Sequence, residues 1–170
     1  MKKVSSGLVM FRIQNGLLHV LLVHPGGPFW KKKDLGAWSI PKGEVEAEED
    51  LLLTARREFK EEIGIEPNEP LYPLGSITQK SGKMVHAWAF EGDCDPTKIC
   101  SNTTEIEWPP KSGKKLVIPE IDQAVFFTIR EASEKINPAQ LPLFAELEKL
   151  RPAEYAASSV AQKLGQASLF

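Results

Sequence analysis

The stretch from residue 38 to residue 65 constrains this chain most, because a single helix within it combines an apolar face with a group of acidic residues. Apolar residues recur there at helical spacing, at Leu52, Ala55, Phe59 and Ile63. This period predicts an amphipathic helix over about residues 48–63 whose apolar face packs on the core. Gly64 follows the last apolar residue, and a glycine in that place is typical of a helix end.

Three carboxylates lie beside the apolar face of the predicted helix. Glu58, Glu61 and Glu62 are spaced so that their side chains are close neighbours on the helix surface. Like charges at this spacing repel one another by about a few tenths of a kcal/mol per pair. Mg²⁺ binds carboxylate oxygens together with phosphates and water, so a bound cation would turn this repulsion into attraction. The pattern therefore points to a divalent metal site.

A purely structural interpretation of the same residues stays open at this point. Most helices rich in Glu, Lys and Arg present a solvated face, and Arg57 with Glu61 has the spacing of an ordinary helical ion pair. The acidic residues 48–50 could complement the helix dipole at its N-terminus. The full spacing of the acidic residues, with Gly43 before them, favours a functional interpretation over the structural one.

The stretch has fixed positions in the order Gly43, Glu49, Arg57, Glu58, Glu61, Glu62, Gly64 and Ile65. Their spacing resembles the Nudix box, and every fixed position of that motif is matched in residues 43–65. The chain is thus similar to the Nudix hydrolase family. The resemblance implies the α/β class, with an α/β/α sandwich in which a mixed β-sheet lies between helices. It covers roughly residues 4–150, and residues 120–132 look like the family's final strand and helix.

The resemblance also implies a chemistry and a set of metal ligands. Family members are Mg²⁺-dependent or Mn²⁺-dependent hydrolases in which water attacks phosphorus in a diphosphate linked to another moiety, usually a nucleoside. Carried over to this sequence, the expected metal ligands are Gly43 (through its carbonyl), Glu58, Glu61 and Glu62. Arg57 would orient the carboxylates by bidentate hydrogen bonds, together with Glu49.

The resemblance leaves the general base open. In the family this residue is either a glutamate of the box, here Glu61, or a carboxylate from a later loop. The later candidates in this chain are Glu105, Glu107 and Glu120. Among them we favour Glu120, so the expected catalytic residues are Glu61, Arg57 and Glu120.

Composition and charge limit the domain organisation and the partners. The chain has 170 residues, of which 42% are hydrophobic and 26% charged, as in ordinary globular proteins. We expect one hydrolase domain over residues 1–150 and a C-terminal tail at 151–170 that is flexible or forms a short helix. The formal net charge of −2 offers no long-range attraction to nucleic acid or to a membrane.

The expected localisation rests on the absence of targeting and membrane-spanning segments from the sequence. No stretch has the pattern of a signal peptide or the length of a membrane span. Cys94 and Cys100 have neither metal-ligand spacing nor the pattern of a disulfide framework. We therefore expect both cysteines to be reduced thiols, and we expect a cytoplasmic protein.

Apolar runs and turn residues predict the remaining elements. Asn15 and Gly16, between two apolar runs, predict a β-hairpin whose strands are buried on both faces. Residues 24–38 are rich in Gly and Pro and predict a loop. Further strands are predicted over 38–41, 74–79, 84–90, 105–108 and 124–129, with a turn at Lys42–Gly43 and late helices over 130–136 and 141–150.

Cationic and aromatic residues indicate where a substrate could bind. The candidate phosphate contacts are Lys42, Lys80, Lys83 and the run Lys31–Lys33, since each lysine acts as a point charge for phosphate. Phe29 and Trp30 could stack on a base. The alternative for their loop is a solvated surface with an aromatic anchor, and His24 is expected to be structural.

The substrate subgroup is indicated only by weak marks. Some Nudix subgroups carry a proline or a tyrosine downstream of the box, whereas residues 79–84 read QKSGKM and contain neither. The W-S-I-P-K-G segment before the box looks more like the dinucleoside polyphosphate and diphosphoinositol branches. We therefore expect a soluble nucleoside polyphosphate, with a dinucleoside polyphosphate preferred over ADP-ribose. The alternatives are a catalytically inactive nucleotide-binding sensor and an RNA 5′-end pyrophosphohydrolase.

Overall fold

An antiparallel hairpin lies at the centre of the structure, a computed structural model that describes residues 3–150. Its strands are β1 (Val4–Gln14) and β2 (Leu17–Pro25). Asn15 and Gly16 between them have positive φ angles of 54° and 74°, as a two-residue hairpin turn of type I′ requires. The predicted hairpin is therefore confirmed. The tail expected at 151–170 lies outside the described residues.

The remaining elements extend this hairpin into a mixed sheet flanked by helices. They are β3 (Lys42–Glu44), α1 (Leu51–Ile63), β4 (Tyr72–Thr78), β5 (Met84–Glu91), β6 (Thr103–Glu107), β7 (Lys115–Pro119), β8 (Ile121–Thr128), α2 (Ile129–Lys135) and α3 (Pro142–Lys149). The main sheet has six strands in the order β4-β5-β1-β2-β8, with β3 beside β1. Because β1 pairs parallel to β5 and antiparallel to β2 and β3, the sheet is mixed.

One edge of β1 is shared by two partners. Its C-terminal half pairs with β2, whereas Ser5–Gly7 pair with β3. Between these ladders the N–H of Leu8 donates to the carbonyl of Pro41 at 3.1 Å. Gly7 is needed here, because a Cβ at this position would lie 2.5 Å from the Pro41 oxygen. The segment leading into β3 therefore occupies the opening between β1 and β2.

Two predictions for this segment were wrong in detail. Residues 38–41 form no regular strand, only isolated bridges at Trp38 and Ser39. The Lys42–Gly43 pair, predicted as a turn, belongs to β3. The physical reason is that the first half of β1 leaves backbone donors and acceptors unpaired, and these bind the incoming chain. Nothing local in Lys42–Gly43 indicates that pairing.

Helices cover both faces of the sheet. Alternate residues of β1 point to opposite sides, so Leu8 and Met10 pack with α1 while Val9 and Phe11 pack with the α2 and α3 side. All four are buried, which explains the near-continuous apolar run of β1. The α/β/α sandwich with a mixed sheet is therefore confirmed. No helix within residues 3–150 is long and apolar enough to cross a membrane.

The box helix starts later than predicted. Asp50 caps α1, accepting from the N–H groups of Leu52 and Leu53 at 3.0 and 3.1 Å. Glu48 has a φ of 64° and cannot be helical, so the expected start at residue 48 was wrong. Gly64 ends the helix in the left-handed conformation with φ 87°, as predicted.

Only one of the two strands of the β6–β7 hairpin was predicted. A strand was expected near β6, but β7 was not expected at all. Four of the five residues of β7 are exposed, so its sequence shows no burial alternation from which a strand could be read. Within residues 3–150 the two strands pair only with each other and form a separate sheet.

The capping of α1 gives a first prediction. Asp50→Ala should lower the free energy of unfolding by about 1 kcal/mol, because two N–H groups of the first turn lose their acceptor. Chemical denaturation of both proteins measures the difference. Asp95→Ala is the matched control, since Asp95 caps only the exposed three-residue 3₁₀ turn Pro96–Lys98. Equal midpoints for wild type and Asp50→Ala would show that solvent replaces the cap without loss.

Candidate active site

The box carboxylates of α1 meet the backbone of β3. Gly43 is in direct contact with Glu58, since a Cβ at Gly43 would lie 1.9 Å from Glu58 Cδ and 2.1 to 2.2 Å from its two oxygens. Only a residue without a side chain fits between the strand and this carboxylate. The structure thus brings together Gly43 and Glu58, which are far apart on the box, by pairing β3 with β1.

Arg57 ties the carboxylates to the loop before the helix. Its Nε and Nη2 donate to the two oxygens of Glu49 at 2.8 and 3.0 Å, a bidentate pair. Its Nη1 donates to Glu58 Oε1 at 3.0 Å and to Glu61 Oε2 at 3.2 Å. The hydrogen bond from Arg57 lowers the pKa of Glu49 from 4.5 to about 2. Arg57 therefore links three carboxylates at once.

Glu62 has the opposite environment. Its Oε2 is buried and has no hydrogen-bond partner within residues 3–150. Burial, and then the charge of Glu58, raise the pKa of Glu62 from 4.5 to about 8, although Lys42 acts against them. Burial likewise raises the pKa of Glu58, against the charge of Arg57. A buried carboxylate oxygen without a partner is costly in a folded protein, which makes this atom a candidate ligand atom.

The carboxylates of the site are ligands suited to a hard divalent cation, but their oxygens do not meet at one point. In the part of the chain described, no group of three or more His, Cys, Asp or Glu side chains is close enough to hold a metal ion. Arg57 Nη1 binds oxygens of both Glu58 and Glu61. Carboxylate oxygens and the unpartnered Glu62 Oε2 are nevertheless the ligand chemistry of Mg²⁺ or Mn²⁺.

Glu120 is the late carboxylate that acts electrostatically on this cluster. Its negative charge raises the pKa of both Glu58 and Glu62. The backbone of Glu120 is held at both ends, because its N–H donates to the carbonyl of Asn102 at 2.9 Å and its carbonyl accepts from Gly26 at 3.0 Å. Glu120 is exposed and can therefore act on a substrate.

The other late candidates lie in the β6–β7 hairpin. Glu105 pairs across the hairpin with Lys115 at 3.2 Å, and Glu107 is exposed near the end of β6. Glu120, at the root of the same hairpin, is the one of the three whose charge acts on two box carboxylates.

Two of the predicted phosphate contacts lie at the cluster. Lys42 is in β3, and burial, then the charge of Lys83, lower its pKa, while Glu62 and Glu58 raise it. Lys83 approaches Glu44 at 3.2 Å. Lys80 is exposed in the turn between β4 and β5. Lys42 and Lys83 thus form one cationic group beside the carboxylates.

The predicted stacking residues contact each other. Phe29 and Trp30 pack edge to face with ring centroids 5.0 Å apart. Lys33 Nζ lies 3.5 Å from the centroid of Phe29 and 5.2 Å from that of Trp30. Phe29 is still 54% exposed, so part of this aromatic pair faces solvent.

His24 is buried and doubly bonded, in agreement with a structural role. Its Nδ1 lies 2.8 Å from Asp122 Oδ1 and its Nε2 lies 2.6 Å from the carbonyl of Lys33. Asp122 was missed by the sequence reasoning. Because His24 and Asp122 are 98 residues apart, no local pattern signals their contact.

The environment of Glu62 gives a second prediction. With EDTA present, Glu62→Gln should be more stable than wild type, and the difference should grow between about pH 4.5 and pH 8. In that range unfolded Glu62 releases its proton while folded Glu62 keeps it, so wild-type stability falls as pH rises. Chemical denaturation at pH 5 and pH 8 measures this.

Glu49→Gln is the control for this experiment. It should lower stability at both pH values, because Arg57 loses a bidentate carboxylate partner. A wild type as stable as Glu62→Gln at pH 8 would mean that the Glu62 carboxylate has a favourable partner after all.

Comparison with known proteins identifies the family. A family model described as the NUDIX domain matches residues 1–147. No curated protein matches this chain. A solved structure of the C. elegans Ap4A hydrolase binary complex is similar with a TM-score of 0.61 at 20% identity, over 86% of this chain and 96% of that chain.

Two further solved structures have the same fold. The NUDIX domain of Shewanella oneidensis NrtR complexed with ADP ribose gives a TM-score of 0.60 at 15% identity, over 89% of this chain and 90% of that one. The C-terminal domain of mouse MUTYH in complex with human PCNA gives 0.57 at 20% identity, over 89% and 91%. At these identities the likeness concerns the fold alone. Because the family model covers nearly the whole described chain and every fixed position of the box is present, this chain belongs to the Nudix family.

Proposed function

We propose that this protein is a Mg²⁺-dependent, or Mn²⁺-dependent, pyrophosphohydrolase in which water attacks phosphorus in a nucleoside diphosphate linked to another moiety. The favoured substrate is a nucleoside or dinucleoside polyphosphate. The observation that carries the proposal is the direct contact of Gly43 with Glu58, together with a buried Glu62 oxygen that lacks a partner within residues 3–150. We expect such a protein in the cytoplasm.

The metal would be held by Glu58, Glu61 and Glu62, with the carbonyl of Gly43 as a further ligand. When bound, the ion supplies neutralisation of phosphate charge and a lower pKa for the attacking water. Arg57 keeps Glu49 as its bidentate partner, so it can remain in place when Glu58 and Glu61 turn towards a cation. The repulsion among the carboxylates favours that exchange.

The residues around the cluster would supply the general base and the phosphate contacts. The carboxylate of Glu120, or that of Glu61, would accept the proton from the attacking water. Support for Glu120 comes from its exposure and from its electrostatic effect on Glu58 and Glu62. The ammonium groups of Lys42 and Lys83 would contact substrate phosphates beside the carboxylates. Trp30 and Lys80 stay weaker candidates for substrate contact.

The two alternatives make different demands on the site. An inactive sensor has no need of the metal-binding carboxylates, whereas this chain has kept them and packs Gly43 against one of them. An RNA 5′-end pyrophosphohydrolase would need a basic groove, and the formal net charge is −2. Ap4A and ADP ribose are the ligand chemistries named for two structures of the same fold, so both types of substrate belong in the test.

Metal dependence gives a third prediction. Turnover should need Mg²⁺ or Mn²⁺ and stop in EDTA, and Glu61→Gln and Glu62→Gln should each lower kcat by about 10²-fold or more, since each removes a ligand. Phosphate-release assays with diadenosine tetraphosphate and ADP-ribose measure this, and kcat/KM should be higher for the tetraphosphate. Glu66→Gln is the control, an exposed residue beyond α1 that pairs with Lys60.

Several results would contradict the proposal. Full turnover in EDTA, or wild-type rates in both box variants, would remove the metal-hydrolase assignment. A higher kcat/KM for ADP-ribose would leave the hydrolase assignment intact and reject the favoured substrate.

The general base gives a fourth prediction. Glu120→Gln should lower kcat by about 10²–10⁴-fold and remove the acidic limb of the pH–rate profile, because the proton acceptor is lost. Metal affinity, measured by titration calorimetry, should stay within about twofold of wild type. Glu105→Gln, in the same hairpin, is the matched control. If Glu120→Gln keeps the wild-type profile while Glu61→Gln loses the acidic limb, Glu61 is the base.

A further inference from the structure

A cavity of about 470 Å³ lies beside the end of β2, apart from the carboxylate cluster. We call it the lysine cavity, and its lining is His24, Lys31, Lys32, Lys33, Asp34, Trp38, Asp122 and Gln123. None of these residues belongs to the Nudix box. Asp122 is two residues from Glu120, a distance of about 7 Å along an extended chain. The cavity therefore lies close along the chain to Glu120, the candidate general base.

One acidic residue of the lining, Asp122, is engaged by a histidine. Its Oδ1 lies 2.8 Å from His24 Nδ1, which is a hydrogen-bond distance. His24 Nε2 lies 2.6 Å from the carbonyl of Lys33, so the histidine connects Asp122 to the lysine run.

The other acidic residue of the cavity is also compensated. Asp34 Oδ1 accepts from Trp38 Nε1 at 2.8 Å, and Asp34 Oδ2 pairs with Lys135, which does not line the cavity. Both carboxylates of the lining are therefore engaged.

The lysines of the cavity have no such compensation. Lys31, Lys32 and Lys33 take part in no ion pair among residues 3–150, and Lys33 instead lies over the ring of Phe29. A cation over an aromatic ring keeps its full charge. The His24 bond to the carbonyl of Lys33 fixes the end of this run against the core. The cavity thus presents three positive charges in a chain whose formal net charge is −2.

We propose that the lysine cavity is a second phosphate-binding subsite, which takes the phosphoryl groups of a polyphosphate substrate beyond the diphosphate that is cleaved. Uncompensated lysines recognise phosphate as point charges, and their number suits a multiply charged anion. This inference rests on the proposed function, since the carboxylate cluster supplies the reaction. It separates the cations into two groups: Lys42 and Lys83 act at the scissile diphosphate, and Lys31–Lys33 act at the distal phosphates.

Direct binding tests the subsite without turnover. Titration calorimetry with inorganic tripolyphosphate in EDTA should show binding by wild type, and the double variant Lys31→Gln/Lys32→Gln should bind at least about tenfold more weakly. Lys111→Gln/Lys114→Gln is the matched control, because it removes the same charge from exposed residues at the tip of the β6–β7 hairpin. Its affinity should stay within about twofold of wild type. No binding by wild type, or equal losses in both double variants, would overturn the proposal.

Kinetics then relates the subsite to substrate length. In Lys31→Gln/Lys32→Gln, kcat/KM should fall about tenfold for diadenosine tetraphosphate and less than twofold for ADP-ribose. An equal fall for both substrates would overturn the assignment to distal phosphates.

The two proposals fail in different ways. If wild type hydrolyses neither nucleotide but binds tripolyphosphate through Lys31 and Lys32, the subsite stands and the hydrolase assignment fails. If wild type hydrolyses a nucleotide but its tripolyphosphate binding is unchanged in the variant, the hydrolase assignment stands and the subsite is rejected.

Discussion

The division of one β1 edge between β2 and β3 is the constraint on which the rest of the site depends. Backbone groups of β1 that β2 leaves unpaired bind the chain that leads into the Nudix box. The close approach of Pro41 requires a glycine at position 7, and the close approach of Glu58 requires a glycine at position 43. These two glycines therefore allow the chain that leads into the box to lie against β1, and the Glu58 side chain to lie against β3.

The carboxylates on this helix differ in how their charge is stabilised. Arg57 lowers the pKa of Glu49, whereas one oxygen of Glu62 is buried and has no hydrogen-bond partner within the described chain. Burial raises the pKa of Glu62, which predicts a loss of stability near neutral pH in the absence of a cation. A site that binds a cation commonly has this property, because ligand groups placed for the ion repel one another when the ion is absent.

The lysines that the sequence suggests as phosphate contacts form two separate groups in the structure. Lys42 and Lys83 lie at the carboxylate cluster, and Lys31–Lys33 line a separate cavity that includes Asp122. Glu120, two residues from Asp122, is fixed by backbone hydrogen bonds to Gly26 and Asn102. Under the proposed function, one long anionic substrate would contact both groups of lysines.

The sequence alone determined the features that depend on near neighbours. The Asn15–Gly16 turn, the apolar face of α1, its end at Gly64 and the spacing of Glu58, Glu61 and Glu62 all follow from residues a few positions apart, where helix and turn geometry sets the contacts. The family and the α/β/α class followed from that spacing. The tertiary structure alone decided that Lys42–Gly43 forms a strand, that Glu120 acts on the box carboxylates, and that His24 meets Asp122. These contacts join residues that are distant in the chain, and they depend on sheet pairing, which no local pattern records.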